Sequence, residues 1–212
     1  AHRLHVRILG GDEQAMGPVW FFEGFAVYAS DQFVGAELAP PELPKVVASS
    51  QRGSYRSYRA LMNYLVSRTD LPELVQWAKE PDFADQLKLL WLQLVEPDPE
   101  DQFHFGRDGL TIASHRGIGR VRLFAPQGWP PQLAIRFTYP EGHPMSRIEG
   151  LFIETGRGSW RSSTPSPEFR PSIAAWSKPR LQMEGQLPVL TIPADFLADS
   201  TELKLHWIDV YR

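Results

Sequence analysis

The chain has 212 residues, 42% of them hydrophobic and 22% charged, with 22 Lys+Arg against 25 Asp+Glu and no cysteine. That apolar content excludes a disordered chain, and a formal charge of -3 spread along the sequence excludes a phosphate-tracking nucleic-acid binder. The lack of thiols excludes a disulfide framework, a thiolate metal site and a cysteine nucleophile, and no apolar run approaches the roughly 18 residues that would cross a bilayer.

The chain opens without Met, on a segment of helical pattern that holds His2 and His5, which suggests that its N-terminus is a cut. Pro18 suits the first turn of a helix running to about Phe33, followed by a loop at Ala39-Pro40-Pro41-Glu42-Leu43-Pro44. Tyr55, Tyr58, Leu61, Met62, Leu65 and Val66 recur at three- and four-residue steps and predict one amphipathic helix. Asp70 with Glu73, and Asp82 with Asp85, read as N-caps with an acidic partner three residues on, opening two short helices. Beyond residue 96 the grammar changes. Six of the 19 prolines lie in residues 1–95, which leaves thirteen for the rest, and short apolar runs alternate with turns. Leu110–Ile112, Val121–Leu123, Leu133–Phe137, Leu151–Phe152-Ile153, Val189–Ile192 and Leu203–Trp207 read as strands. The predicted architecture is α+β: an α-helical subdomain over residues 1–96, a linker over 97–104 around Glu96-Pro97-Asp98-Pro99-Glu100-Asp101, and an antiparallel, jelly-roll-like β-sandwich over 105–212.

One segment carries chemistry. In Pro18-Val19-Trp20-Phe21-Phe22-Glu23-Gly24-Phe25-Ala26-Val27-Tyr28 a single carboxylate interrupts an apolar and aromatic helix, where burial is expected on every side. An ionised carboxylate taken from water needs a partner, either an arginine such as Arg52, Arg56 or Arg59, or a metal ion. Gly24 beside it lets another element come close. His2 and His5 are the nearest imidazoles in sequence, and a histidine pair with one carboxylate is a known zinc ligand set in hydrolytic sites.

This segment resembles the second metal-binding helix of gluzincin zinc metallopeptidases, the peptidase MA-like proteins related to thermolysin and the zinc aminopeptidases. Those proteins carry H-E-x-x-H on one helix and, about twenty residues later, a glutamate within W-[LF]-x-E-G-x-A-x-Y. Glu23 matches that glutamate, and Ala1-His2 looks like the end of H-E-x-x-H, with His2 preceding Glu23 by 21 positions. The resemblance implies His2 and Glu23 as two of three zinc ligands, and places the first histidine and the general-base glutamate ahead of Ala1. The chain as given is then inactive, although its parent hydrolyses amide bonds of a peptide or protein substrate. Ser54–Leu65 resembles the downstream helix of these proteins, which implies Tyr55 or Tyr58 as a hydrogen-bond donor to the oxyanion.

The C-terminal half resembles an uncharacterised bacterial β-sandwich domain that closes on Trp207-Ile208-Asp209-Val210-Tyr211-Arg212. A non-enzymatic alternative follows, in which the helices are a degenerate scaffold and the sandwich binds glycan or protein. Trp160 and Trp176 are then the candidate carbohydrate platforms, against their default role as buried anchors. Asp209 is expected to meet an arginine inside the sandwich, and His206 to point outward between Leu205 and Trp207. A peptidase-plus-sandwich layout without cysteine suits an extracytoplasmic bacterial protein.

Overall fold

The computed structural model describes residues 1–49, 52–143, 145, 148–156, 158–163, 168–171 and 178–209. It divides into two units, Ala1–Gln86 and Leu87–Arg212. The first is built from helices α1 (His2–Ile8), α2 (Val19–Ala29), α3 (Leu43–Val47), α4 (Tyr55–Val66) and α5 (Leu71–Ala78), with α6 (Phe83–Leu90) beginning in it. The predicted amphipathic helix coincides with α4, whose buried stripe is Tyr58, Leu61, Met62 and Leu65. Helix α2 is shorter than its sequence suggested. After Ala29 the chain turns through Asp31 (φ 52°) and Phe33 (φ 55°), left-handed conformations that no helix continues. Asp70 takes the N-cap position of α5 without a capping side-chain hydrogen bond, and Glu73 instead accepts one from the Thr69 hydroxyl at 3.2 Å.

Helices α2 and α4 meet where Gly24 faces α4. A methyl group on Gly24 would stand 2.9 Å from Met62 Cγ and 3.3 Å from the Tyr58 carbonyl oxygen, so any side chain here requires Met62 to shift. Gly24→Ala recovers up to about 1 kcal/mol of helix propensity and can be met by movement of the flexible Met62, whereas Gly24→Val also presses on the Tyr58 backbone. The valine variant is expected to lose roughly 2 kcal/mol of stability, with alanine near neutral, and the valine is expected to cost less in a Met62→Ala background than in the parent. Urea unfolding of the parent, the two Gly24 variants, Met62→Ala and Gly24→Val/Met62→Ala measures this.

The second unit holds β1 (Gln93–Val95), β2 (Gln102–Gly106), β3 (Gly109–Ala113), β4 (Ile118–Phe124), β5 (Gln132–Thr138), β6 (Ile148–Thr155), β7 (Gly158–Ser163), β8 (Glu168–Pro171), β9 (Arg180–Glu184), β10 (Leu187–Pro193), the short α7 (Ala194–Leu197) and β11 (Glu202–Asp209). They form two packed sheets, a first in the order β1-β4-β11-β6-β7-β8 and a second in the order β2-β3-β5-β10-β9. All six predicted strands are present. The second sheet is not wholly antiparallel, because β3 and β5 run parallel, with Leu110 beside Ile135 and Ile112 beside Phe137. The proline and acidic stretch expected to link two domains joins two strands of the same unit: Gln93–Val95 ahead of it pairs with Phe124–Arg122, and Gln102–Gly106 after it forms a hairpin with β3.

Alternation builds the core between the sheets. Val121, Leu123, Leu151, Ile153, Leu203, Leu205 and Trp207 point inward from the first sheet, and Leu110, Ile112, Leu133, Ile135, Phe137, Leu190 and Ile192 line the second. The Phe137 and Trp207 rings meet across the interior with centroids 5.8 Å apart. Asp209, expected to meet an arginine, is buried and accepts a hydrogen bond from the Tyr139 hydroxyl.

Candidate functional site

Helix α1 ends where Gly10 (φ 70°) and Gly11 (φ 99°) turn the chain, their N–H groups donating to the carbonyls of Arg7 and Val6. The chain returns through Gly17 (φ 79°), where a side chain would strike the Ala78 carbonyl, and Pro18 starts α2. This return lays α2 against α1 and opens a cavity of about 480 Å³ between them. Its described walls are His2, Arg3 and Val6 of α1, Glu13 and Met16 of the connection, Phe22 and Glu23 of α2, and Arg52 of the turn before α4. The two residues singled out as zinc ligands thus face one cavity.

Glu23 is half-buried rather than enclosed, because Phe22, Glu23 and Ala26 form the open side of α2 while Phe21, Gly24 and Phe25 form its core side. Among the described residues it makes no hydrogen bond and no ion pair. Arg59, a candidate partner, is committed elsewhere. Buried at the end of α2, it donates from Nη1 to the carbonyls of Val27 (3.1 Å), Tyr28 (3.0 Å) and Gln32 (3.3 Å), and its guanidinium lies 4.7 Å from the centre of the Tyr28 ring. It also pairs with Asp31 at 3.7 Å. A cation at the negative end of the helix dipole closes α2 and holds the left-handed turn.

The two histidines of α1 part company. His2 is exposed and meets Phe22 edge-on, with ring centroids 6.0 Å apart. His5 is fully buried between Phe21 (5.6 Å) and Phe25 (4.5 Å), and neither of its ring nitrogens has a hydrogen-bond partner among the described residues. Burial, reinforced by the charge of His2, lowers its pKa from 6.5 to about 4, so His5 is a neutral core residue at physiological pH.

The tyrosines also separate. Tyr58 is fully buried, and burial first, then the charge of Glu23 and the neighbouring Tyr55, raise its pKa, partly offset by a hydrogen bond with the Ser54 side chain. Tyr55 stands 37% exposed at the start of α4, its ring 6.2 Å from that of Tyr58. Neither is among the described residues lining the cavity.

The donor set of the cavity fits part of a zinc site. An imidazole and an unpaired carboxylate are the right chemistry for two positions, and among the described residues no group of three His, Cys, Asp or Glu side chains includes either of them. Arg3 and Glu13 escaped the sequence reading, because nothing in their local pattern separates a cavity wall from a solvated helix face. Arg52 was foreseen only as an ion-pair partner.

In the β unit, Trp160 offers no exposed platform. It is 3% exposed, inside β7 opposite Ile153, and belongs to the core. Trp176 lies outside the described residues. The chain matches no known family model, no curated protein and no solved structure. It is an α+β chain with a helical unit and a unit of two packed sheets, in which no described helix is long and apolar enough to cross a membrane.

Proposed function

We propose that the helical unit is the distal portion of a gluzincin-type zinc metallopeptidase domain, acting on peptide or protein substrates, with a jelly-roll-like β module appended. The observation that carries this reading is that Glu23, half-buried and without a hydrogen bond or ion pair among the described residues, lines the same cavity as His2. His2 and Glu23 would hold the metal, which when bound supplies an activated water and polarises a carbonyl.

The remaining roles belong to the chain's own side chains. Val6, Met16 and Phe22 give the cavity an apolar wall beside Glu23, which lowers the polarity around the carboxylate on that side. The oxyanion donor that the resemblance gives to Tyr55 or Tyr58 would be Tyr55, the accessible phenol, which would have to reach a cavity it does not line, while Tyr58 packs α4 against α2. A third ligand and a general base are required from H-E-x ahead of Ala1.

Zinc content tests the reading. A chain extended by His-Glu-Xaa ahead of Ala1 is expected to retain one equivalent of zinc after dialysis, and the chain starting at Ala1 much less. Glu23→Gln and His2→Ala in the extended chain should each weaken zinc at least tenfold. Full zinc retention in both variants, or none in the extended parent, overturns the assignment.

A further inference from the structure

The outer face of the first sheet displays three rows of side chains, set by the register of β4, β11, β6 and β7. Ile118, Ile208 and Gly150 form one row, Arg120, His206, Phe152 and Arg161 the next, and Arg122, Lys204, Glu154 and Ser159 the third. The third row neutralises itself. Arg122 pairs with Glu202 at 2.5 Å and Glu96 at 3.6 Å, and Lys204 with Glu154 at 2.7 Å. In the middle row Arg120 and Arg161 are exposed and make no ion pair among the described side chains. Between them His206 and the half-buried Phe152 adjoin, with ring centroids 6.0 Å apart. The row ends at the backbone position of Glu168 on β8. Above it Ile118 is 60% exposed and Ile208 49%, an apolar pair beside the gap left by Gly150.

We propose that this face binds an acidic glycan, lying across the strands with a sugar ring over Phe152 and His206 and its carboxylates or sulfates held by Arg120 and Arg161. Charge complementarity selects the ligand. The backbone positions of Arg120 and Arg161 stand three strand spacings apart, about 14 Å, and two arginines so placed suit two separated anionic groups, each matched to a planar guanidinium fork. Between them lies an aromatic pair, and two isoleucines flank it in the adjoining row, surfaces that meet the C–H face of a sugar. A nucleic-acid strand would need a continuous cation track, and the cations of the adjoining row are already paired within a chain of net charge -3. A peptide would more naturally add to a sheet edge through its backbone than lie on a face. The inference is independent of the peptidase reading and involves no residue of the helical cavity.

Calorimetric titration of the 212-residue chain with oligogalacturonate and, separately, a heparin-derived hexasaccharide tests it and separates carboxylate from sulfate recognition. At least one should bind, and more weakly as salt rises. Arg120→Gln and Arg161→Gln, exposed changes that leave the core intact, should each weaken that binding at least tenfold, and Phe152→Leu should weaken it with the fold preserved by circular dichroism. Methyl-esterified oligogalacturonate should bind at least tenfold more weakly than the free acid. The proposal is overturned if neither acidic glycan binds, if the arginine variants bind like the parent, if esterification makes no difference, or if a thymidine dodecanucleotide binds more tightly than either glycan.

Discussion

Replacing Gly119 by alanine is expected to destabilise the β unit by about 3 kcal/mol, although the position is a strand residue with no demanding backbone angle. The reason is steric. A methyl group there would stand 2.7 Å from Trp207 Cε2 and 2.8 Å from Cη2, and closer still to Cζ2. Trp207 cannot swing away, because it is 1% exposed and its ring meets Phe137 from the opposite sheet. Close-packed interiors relax poorly around such an insertion. Trp207→Phe shortens the ring and removes an indole N–H that has no hydrogen-bond partner among the described residues, so the alanine should cost much less in the double variant. Calorimetric unfolding of the four chains gives the coupling; a single variant as stable as the parent, or strictly additive losses, would show that Gly119 does not exist to admit the indole.

The second large effect is acid sensitivity of the helical unit through His5. Its imidazole is buried against two phenylalanines with both nitrogens unpartnered, and its folded pKa is about 4 against 6.5 when unfolded. Between those values the unfolded chain binds a proton that the folded chain refuses. The stability contributed is therefore complete above about pH 6.5 and falls away as the pH drops through 4, by roughly 3 kcal/mol in all. His2, the charged neighbour that opposes protonation of His5, acts in the same direction. His5→Leu is expected to flatten this limb and to raise stability at pH 5 by about 1–2 kcal/mol, since it removes two unsatisfied buried nitrogens at similar volume. Urea unfolding at pH 5 and pH 7.5, followed by ellipticity at 222 nm, measures both; an acid limb of the same depth in the leucine chain would assign the effect to other groups.

What could be read from the sequence followed the strength of its periodicity. Helix α4 and the six apolar strands carry patterns that burial enforces, and both emerged where expected. The strands that escaped are β1, β2, β7, β8 and β9, short or polar segments whose pairing is decided by their neighbours rather than by their own composition. The parallel β3–β5 pair was invisible for the same reason, since register belongs to two segments at once. At the candidate site, Glu23 stood out because a lone carboxylate among aromatics contradicts its surroundings, and Gly24 because it breaks the bulk of the same helix. The fates of His2 and His5, three residues apart, were not separable in advance: one faces a cavity and the other the core, a distinction set by how α2 lies against α1. Trp160 followed the ordinary tendency of tryptophan to be buried.

The three-residue strand β1 governs how this chain can be cut. Gln93–Val95 covers one flank of β4 along Phe124–Arg122, and Glu96 immediately after it reaches Arg122. A recombinant β module begun at residue 105, where the sequence alone draws the border, would leave that flank bare and would also sever most of the β2 hairpin. Naked strand edges recruit other chains, so such a truncation should precipitate or self-associate, whereas one begun at Leu87 keeps its own guard strand.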